Sequence, residues 1–323
     1  MKKTSIFIVS IVALLFSATI NQKLVGTRPT QQGAHANSGT SYYLPLIIKN
    51  LSTGVFVGAG DIAGCSYDND EETAKLLDGI PGTVFTLGDN AYPDGTDKDF
   101  SNCYGPTWGR HKTRTRPSPG NHDYHVKGAS GYFKYFGAAA GETDKGYYSY
   151  DLGAWHIIVL NSECGEIGGC DADSPQGQWL QADLASNPSF CTLAYWHKPR
   201  FSSGLIHGNN ETMGDFWQLL YEAGADVVLN GHDHLYERFA PQDPDGVADP
   251  ENGIRQFVVG TGGKGLYPFG IIQPNSEVRN SSTHGVIKLT LQATSYAWEF
   301  IPIAGKTFTD SGSAPCVMPK TSQ

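Results

Sequence analysis

Five short segments of the chain each end in side chains that can bind metal ions, with oxygen donors first and histidines last. Carboxylate, amide and phenol oxygens combined with imidazoles suit transition-metal ions. One such segment is ordinary in a polar loop, but five in this order predict a single site assembled from distant parts of the chain. The segments are Gly60-Asp61, Gly88-Asp89-Asn90-Ala91-Tyr92, Gly120-Asn121-His122-Asp123, Trp196-His197 and Gly231-His232-Asp233-His234.

Four of these segments directly follow a short apolar run that predicts a β-strand. The segment that begins at Gly120 lacks a clear apolar lead-in. Helices are predicted where periodic segments have starting or stopping residues, such as Ser174 and Pro175 before one of them. Helices in the first two thirds and strands in the last third predict a mixed α/β sandwich. The predicted strands are 55–57, 83–87, 192–195, 227–229, 256–259, 286–291 and 296–303, and the predicted helices are 71–78, 174–185 and 214–223.

The net negative charge of the chain argues against some classes of binding partner. The 323 residues carry a net charge of −9, with a pI of about 5.5. Nucleic acids and anionic membranes are bound by clustered Lys and Arg, so the composition argues against both as general partners. One basic run occurs at residues 110–116, and it is either a solvated loop or one wall of an anion-binding site.

The amino terminus has the pattern of an export signal. Lys2 and Lys3 precede an apolar run at residues 6–16, and small residues follow it at 17–19. We expect a signal peptide over residues 1–20, a linker over 21–50, one domain over 51–305 and a tail over 306–323. The protein is then secreted or associated with the cell envelope. An uncleaved amino-terminal anchor is the alternative, and it is the only membrane association we expect.

The six cysteines predict disulfides, because an even number in an exported chain favours pairing. Six cysteines allow 15 connectivities. The sequence contains no Cys-x-x-Cys pair of the kind that would indicate a zinc site. One pairing is predicted from its loop. Cys164 and Cys170 enclose a short segment that contains Gly165, Gly168 and Gly169, which permits the tight reversal that a disulfide needs.

As a set, the five segments resemble those of the calcineurin-like metallophosphoesterases. Two details resemble the purple acid phosphatase branch: Tyr92 stands three residues after Asp89, and residues 231–238 follow the pattern Gly-His-x-His-x-Tyr-Glu-Arg. The resemblance covers residues 55–303. It implies a four-layer α/β/β/α sandwich of two mixed sheets and makes the domain at 51–305 a metallophosphoesterase catalytic domain.

The resemblance also implies the ligands of two metal ions. Asp61, Asp89, Tyr92 and His234 would bind one ion, and Asp89, Asn121, His197 and His232 would bind the other, with Asp89 bridging. The phenolate of Tyr92 is a hard anionic donor that favours iron(III), whereas zinc, manganese or iron(II) suits the second position. On a strand His232 and His234 would point to opposite faces, so we expect a turn there.

The implied reaction is hydrolysis of phosphomonoesters by a metal-activated hydroxide, without a phosphoenzyme. Two cations ~3.5–4 Å apart can clamp the attacking and leaving oxygens. The substrate would be a phosphorylated small molecule or peptide. His122 would face it and stabilise developing charge or protonate the leaving oxygen, with Asp123 orienting that imidazole. His207 resembles a second histidine that faces the substrate. The other histidines near no such motif are expected to be structural or at the surface: His111, His125, His156 and His284.

Alternatives remain open at this stage. A phosphodiesterase for nucleotides or phospholipid headgroups would use the same metals, and a non-catalytic surface protein could keep the same scaffold. The Gly-x-Gly-x-x-Gly pattern at residues 260–265 lacks the helix that a dinucleotide site requires, since Pro268 and Gly270 interrupt it. We expect instead a tight loop near the metal site. The oligomeric state is left open.

Overall fold

Two mixed β-sheets form the framework in the computed structural model, which describes residues 52–317. The expected signal peptide, anchor and linker lie outside these residues. No helix between residues 52 and 317 is long and apolar enough to cross a membrane. The strands are β1 (Gly54–Ala59), β2 (Thr83–Leu87), β3 (Thr115–Ser118), β4 (Tyr148–Leu152), β5 (Trp155–Val159), β6 (Cys191–Trp196), β7 (Val227–Asn230), β8 (Tyr236–Phe239), β9 (Arg255–Val259), β10 (Ser276–Asn280), β11 (Gly285–Leu291), β12 (Ser295–Pro302) and β13 (Ser311–Pro315).

The parallel strands of each sheet lie side by side. The first sheet runs β13-β12-β11-β1-β2-β3, and β1, β2 and β3 are parallel to one another. The second sheet runs β10-β8-β9-β7-β6-β5-β4, with β5, β6, β7 and β9 parallel. Because parallel strands end on the same side, the loops after these strands meet at one edge of each sheet.

Five α-helices and several shorter helical turns flank the sheets in the described part of the chain. The helix α4 begins after Ser174, whose hydroxyl accepts a hydrogen bond from the Gly177 amide across 3.1 Å, as the sequence predicted. The α-helices are α1 (Asn69–Asp78), α2 (Asp97–Asp99), α3 (Ser130–Phe136), α4 (Pro175–Ser186) and α5 (Gly214–Glu222), and the shorter turns are Phe100–Tyr104, Trp108–Arg114, Lys127–Ala129, Gly137–Ala140 and Glu211–Met213.

Alternate residues of the second sheet face two different cores. Leu193 and Leu229 belong to the cluster between the sheets, where the ring of Tyr195 lies 5.7 Å from that of Phe56. Their neighbours face the other way and pack with α4 and α5, for example Val228. On the opposite side, α1 buries its apolar residues against the first sheet. The expected four-layer α/β/β/α sandwich is therefore confirmed.

The strands predicted from apolar runs are all present. The residues before Gly120, which contain no clear apolar run, also form a strand, β3. Its sequence Thr-Arg-Pro-Ser does not predict a strand. It pairs in parallel with β2, so its position depends on its neighbour rather than on its own side chains. The strand β13 pairs with β12 and extends the sheet beyond the expected boundary at residue 305.

Three disulfides pair all six cysteines, and no free cysteine occurs in the described residues. The predicted bond between Cys164 and Cys170 is confirmed, with 5.2 Å between the Cα atoms. Cys191 of β6 is bonded to Cys316, which follows β13. That bond joins the second sheet to the carboxyl-terminal strand of the first. The third bond is Cys65–Cys103.

Candidate metal centre

The seven predicted ligands come together where the parallel strands of both sheets end. Asp61 follows β1 and Asp89 follows β2, while His197 follows β6 of the other sheet. The two sheets are joined directly at this point, because the His197 imidazole donates from Nδ1 to the Leu87 carbonyl across 2.7 Å. Asn121 follows β3, and His232 and His234 lie on the loop after β7.

One group of donor atoms surrounds the hydroxyl of Tyr92. Its oxygen lies 3.1 Å from Oδ1 of Asp61, 3.0 Å from Oδ2 of Asp89 and 3.3 Å from Nε2 of His234. The same His234 nitrogen lies 3.4 Å from Oδ1 of Asp61. Four side chains from three separate loops therefore point their donor atoms at a common position.

A second group surrounds Nε2 of His197. That nitrogen lies 3.1 Å from Oδ1 of Asn121, 3.1 Å from Nδ1 of His232 and 3.4 Å from Oδ1 of Asp89. Asp89 thus belongs to both groups, with Oδ2 toward Tyr92 and Oδ1 toward His197. This division of one carboxylate between two groups is the arrangement that a bridging ligand requires.

The spacing fits metal coordination. At metal–ligand distances of ~2.0–2.2 Å, neighbouring donors in a tetrahedral or octahedral shell are separated by about 2.8–3.6 Å. The donor–donor distances in both groups fall in or next to this range. The first group has three oxygen donors and one imidazole, which suits a hard cation, and the second has two oxygen donors and two imidazoles, which suits a borderline cation.

Backbone carbonyl groups fix the orientation of two imidazoles. His234 donates from Nδ1 to the Gly265 carbonyl across 2.8 Å, and His197 donates similarly to Leu87. A carbonyl only accepts, so both rings carry a proton on Nδ1 and turn Nε2 toward the centre. His232 turns the opposite way and presents Nδ1. The predicted turn at residues 231–234 is what allows His232 and His234 to reach both groups.

Unusual backbone conformations support three of the ligands. Asp61, Asp89 and His232 have φ angles of 60°, 49° and 71°. Residues other than glycine seldom adopt this left-handed region, and such conformations concentrate at functional sites. The glycine before His232 is required for another reason. A Cβ atom on Gly231 would lie 2.8 Å from the Asp61 carboxylate.

Protons compensate the negative charges of the centre in the metal-free protein. Burial opposes ionisation of Asp89, yet the nearby His197, His122 and His232 hold the pKa of its carboxyl well below the usual range. Burial likewise opposes protonation of His197, but Asp89 raises its pKa. Burial and then His197 lower the pKa of His232. Burial, followed by Asp89 and Asp61, raises the pKa of Tyr92 well above 10. A bound cation would replace the phenol proton of Tyr92 and the Nε2 proton of His197.

His122 lies beside the first group. Its backbone N–H donates to Oδ1 of Asp89 across 2.8 Å, and its ring centroid lies 4.5 Å from that of Tyr92. Its Nδ1 donates to the Pro93 carbonyl across 2.6 Å, while Nε2 lies 3.9 Å from Oδ2 of Asp89. The ring is therefore held with Nε2 on the side of the centre.

The expected role of Asp123 is wrong. Its buried carboxylate does not contact the His122 ring but accepts hydrogen bonds from Gly120 N and Asn90 Nδ2, both across 2.9 Å. The turn at 120–123 directs Asp123 inward while His122 faces the centre. Burial and the nearby Asp89 raise the pKa of Asp123 to about 7. Asp123 instead braces the loops that carry Asp89 and Asn121.

His207 also reaches the centre, where its ring stacks on that of His232 with a centroid separation of 3.9 Å. Asp233 holds the loop in place, because its Oδ2 accepts from Ser202 Oγ and from Gly208 N across 2.5 and 3.1 Å. Partial burial lowers the pKa of His207. The structure therefore places His207 next to the predicted ligand His232. In the sequence, His207 is the tenth residue after His197.

The other four histidines among residues 52–317 lie away from the two groups or at their edge. His156 is buried, with Nε2 2.7 Å from Asp183, and His111 is buried beside Asp78. His284 contacts the Lys264 carbonyl. His125 is exposed, but its ring lies 4.5 Å from that of His122.

The basic run at residues 110–116 does not form a wall of the site. Arg110 pairs with Glu71 and Asp78, and Arg114 donates to the carbonyl groups of Leu77 and Gly82. These contacts satisfy the guanidinium groups within the fold. The run is therefore a structural feature of the first sheet and its flanking helix.

Two further residues near the centre lie on the segment that begins with the Gly-x-Gly-x-x-Gly pattern. Residues 260–265 form the expected tight loop, in which Lys264 N donates to the Asp61 carbonyl across 2.9 Å. The Lys264 ammonium lies 4.4 Å from the centroid of the Tyr92 ring. Tyr267 donates from its hydroxyl to the His232 carbonyl across 2.7 Å. Their positions depend on the fold, and the glycine pattern was the one signal in the sequence that marked this loop.

Comparison with known proteins agrees with the geometry. A family model described as calcineurin-like phosphoesterase matches residues 55–236, more than half of the chain. Purple acid phosphatase 15 of Arabidopsis thaliana is 27% identical over 231 residues, which cover 60% of this chain and 42% of that protein. Purple acid phosphatase 22 of the same plant is 39% identical over 98 residues, which cover 29% of this chain and 22% of that protein.

A solved structure shows the same fold. Purple acid phosphatase PPD1 from yellow lupin (Lupinus luteus) seeds aligns with 82% of this chain and 54% of that chain, with a TM-score of 0.67 and 19% identity. The chain spans less than half of the length of the two Arabidopsis relatives that it matches.

Proposed function

The chain belongs to the calcineurin-like phosphoesterase family, and from this premise we propose that it is an exported hydrolase of phosphomonoesters that uses two metal ions. The observation that carries the proposal is the division of the Asp89 carboxylate between two groups of donors, 3.0 Å from Tyr92 on one side and 3.4 Å from His197 on the other.

The two groups of side chains would hold the two cations. Asp61, Tyr92 and His234 would bind the first and Asn121, His197 and His232 the second, with Asp89 shared between them. Bound cations supply positive charge that lowers the pKa of a water molecule and neutralises the phosphoryl oxygens. The anionic oxygen donors of the first group favour iron(III), and the imidazoles of the second favour zinc, manganese or iron(II).

The chain's own residues would position the ester and handle a proton. In its imidazolium form, His122 can donate from Nε2 to the leaving oxygen, because Nδ1 is already occupied by the Pro93 carbonyl. His207 would contribute a second polar group on the side of His232. A monoester dianion offers one more oxygen for these donors than a diester does, which favours the monoester.

Export is supported by the disulfides. Three bonds in the described residues are stable in oxidising compartments such as the cell envelope or the extracellular space. The apolar run near the amino terminus adds a sequence signal of the same kind. The substrate is then a phosphorylated small molecule or peptide outside the cytoplasm.

Kinetics on p-nitrophenyl phosphate and bis-p-nitrophenyl phosphate test the proposal directly. We expect hydrolysis that requires added or retained metal ions and a higher kcat/KM for the monoester. A higher kcat/KM for the diester would replace the proposal with a phosphodiesterase. No hydrolysis of either ester by protein with both metals bound would support a non-catalytic role for the same scaffold.

A further inference from the structure

Exposed apolar side chains are concentrated beside the metal centre. Five large apolar side chains are exposed within residues 52–317, and four of them lie on two neighbouring loops. We call these four residues the apolar rim. The exposed fractions are 58% for Leu205, 59% for Ile206, 87% for Ile271 and 45% for Ile272. Contiguous exposed apolar surface of this kind marks a binding surface more often than isolated residues do.

Hydrogen bonds hold the two loops of the rim together. Gly270 N donates to the Ser203 carbonyl across 2.7 Å, and Leu205 N donates to the Pro268 carbonyl across 3.2 Å. The buried Glu237 carboxylate accepts from both the amide and the hydroxyl of Ser203, across 2.8 and 2.5 Å. The apolar rim is therefore presented by a fixed pair of loops.

The rim is continuous with the proposed active site. Ile206 directly precedes His207, whose ring stacks on that of His232 at 3.9 Å. On the second loop, Tyr267 contacts His234, with 4.6 Å between the ring centroids. A phosphate held at the centre must direct its organic group outward, and a group that leaves on the side of His207 and Tyr267 would meet these two loops.

The rim lacks groups that would recognise an ionic partner. Residues 201–210 and 265–276 contain no Asp, Glu, Lys or Arg, in a chain of which 17% is charged. The two loops carry neutral amide side chains, such as Asn209 and Gln273, which are joined by a hydrogen bond. The charged Arg200, Glu211 and Asp245 lie beside these amides but outside the two loops. A neutral apolar group fits this surface better than a sugar, a second phosphate or an acidic peptide.

We propose that the apolar rim binds the organic group of the substrate, so that the preferred substrates are phosphomonoesters of apolar alcohols or phenols. This inference rests on the proposed phosphomonoesterase function and narrows its substrate class. The phosphate would lie at the metal centre, and the hydrocarbon part would cover Leu205, Ile206, Ile271 and Ile272. Burial of that hydrocarbon from water supplies the affinity.

A series of n-alkyl phosphates from methyl to octyl tests the proposal at concentrations below micelle formation. The leaving alkoxides beyond methyl have similar basicity, so chain length changes chiefly the apolar area. Each fully buried methylene is worth about fourfold in affinity, and we expect kcat/KM to rise at least tenfold, as a rough estimate, from butyl to octyl. A flat profile in the metal-loaded enzyme would overturn the proposal.

Substitution at the rim supplies the control. Ile206→Ser combined with Ile271→Ser should lower the octyl-to-butyl ratio of kcat/KM at least fivefold, as a rough estimate. Val247→Ser should keep the wild-type ratio, since Val247 is similarly exposed, at 61%, but lies outside both loops. An unchanged ratio in the double variant would contradict the assignment. So would a rim substitution that dissociates a dimer in sedimentation velocity while the chain-length profile stays the same.

Binding of n-alkylphosphonates separates this inference from the proposed function, because their P–C bond is not an ester. Calorimetric titration of the metal-loaded protein should give affinities that increase with chain length and weaken in the double variant. If this pattern appears but no alkyl phosphate is hydrolysed, the hydrolase proposal fails and the rim assignment stands. If all the esters are hydrolysed and neither affinity nor kcat/KM depends on chain length, the rim assignment alone fails.

Discussion

The phenol oxygen of Tyr92 lies 3.0 Å from Oδ2 of Asp89, in a buried position that also includes Asp61. Burial and these two carboxylates raise the pKa of the phenol well above 10, so the proton stays on Tyr92 in the metal-free protein. A phenolate forms there only when a strongly charged cation displaces that proton. This relationship gives the first prediction.

Tyr92→Phe should remove both the colour and one released proton. Protein loaded with iron(III) is expected to absorb visible light through charge transfer from the tyrosinate, and the variant should be bleached. Iron(III) binding to the metal-free variant should release one proton fewer than binding to wild type in a weakly buffered titration. A colourless, iron-free wild type with full activity would defeat the iron assignment and leave a centre of divalent ions.

His122→Ala should slow esters with poor leaving groups more than esters with good ones. The imidazole is held by Pro93 with Nε2 on the side of the centre, where it can protonate a leaving oxygen. An alkyl phosphate needs that proton, whereas the p-nitrophenolate leaves with little help. We expect a loss of roughly 100-fold or more in kcat for the alkyl ester and a smaller loss for p-nitrophenyl phosphate.

The same comparison on His207→Ala identifies which histidine supplies the proton. His207 lies against His232 and not beside Tyr92, so its removal should raise KM more than it changes the dependence on the leaving group. Equal losses on both esters in His122→Ala, combined with a leaving-group dependence in His207→Ala, would reverse the two roles.

The disulfide between Cys191 and Cys316 should stabilise the fold more than that between Cys164 and Cys170. The first spans 125 residues and the second only 6. Loop-closure entropy gives about 5 kcal/mol for the longer loop and about 2 kcal/mol for the shorter one. Paired Cys→Ser variants compared by urea denaturation check this order. A larger loss on removal of the 164–170 bond would contradict the entropic account.

Because Asp226 is buried, the free energy of unfolding should fall as pH rises from about 4 to 7. Its buried carboxyl accepts from Thr192 N and Val317 N across 2.8 and 2.5 Å, and burial raises its pKa to about 7 from 3.8. The folded state therefore holds the proton where the unfolded state has lost it. The free energy of unfolding therefore falls by at most about 1.4 kcal/mol per pH unit within this window, and the loss stays constant above it.

Asp226→Asn removes this titration. The amide keeps at most one of the two accepted hydrogen bonds, which lowers the free energy of unfolding by a constant amount. The difference between variant and wild type should nevertheless move in favour of the variant from pH 4 to 7 and level off above pH 7. A difference that is independent of pH would show that Asp226 does not take up a proton on folding.

The ligand set is implied by the resemblance to the family, and apolar runs before four of the five segments predict the strands that position it. Where no apolar run is present, the strand is not predicted. The strand β3 lies under Asn121 but reads Thr-Arg-Pro-Ser, and it is a strand because β2 provides a parallel partner. Asp123 was assigned to His122 because the two are adjacent in sequence, but a tight turn separates their side chains.

Contacts between distant segments lie beyond the reach of sequence patterns. The pairing of Cys191 with Cys316 depends on how two sheets stack, whereas the 164–170 pairing depends only on a short glycine-rich loop. Lys264 and Tyr267 reach the centre through the loop after β9, and the apolar rim forms only because two loops far apart in the chain are hydrogen-bonded.

Metal content of Asp89→Ala, measured by plasma mass spectrometry beside wild type, tests the central claim most directly. Because Asp89 contributes one oxygen to each group of donors, its removal should weaken both positions. We predict two metal ions per chain in wild type, well under one in the variant, and almost no remaining hydrolysis of p-nitrophenyl phosphate. A variant that keeps two ions per chain and normal turnover would contradict the assignment of Asp89 as the bridge.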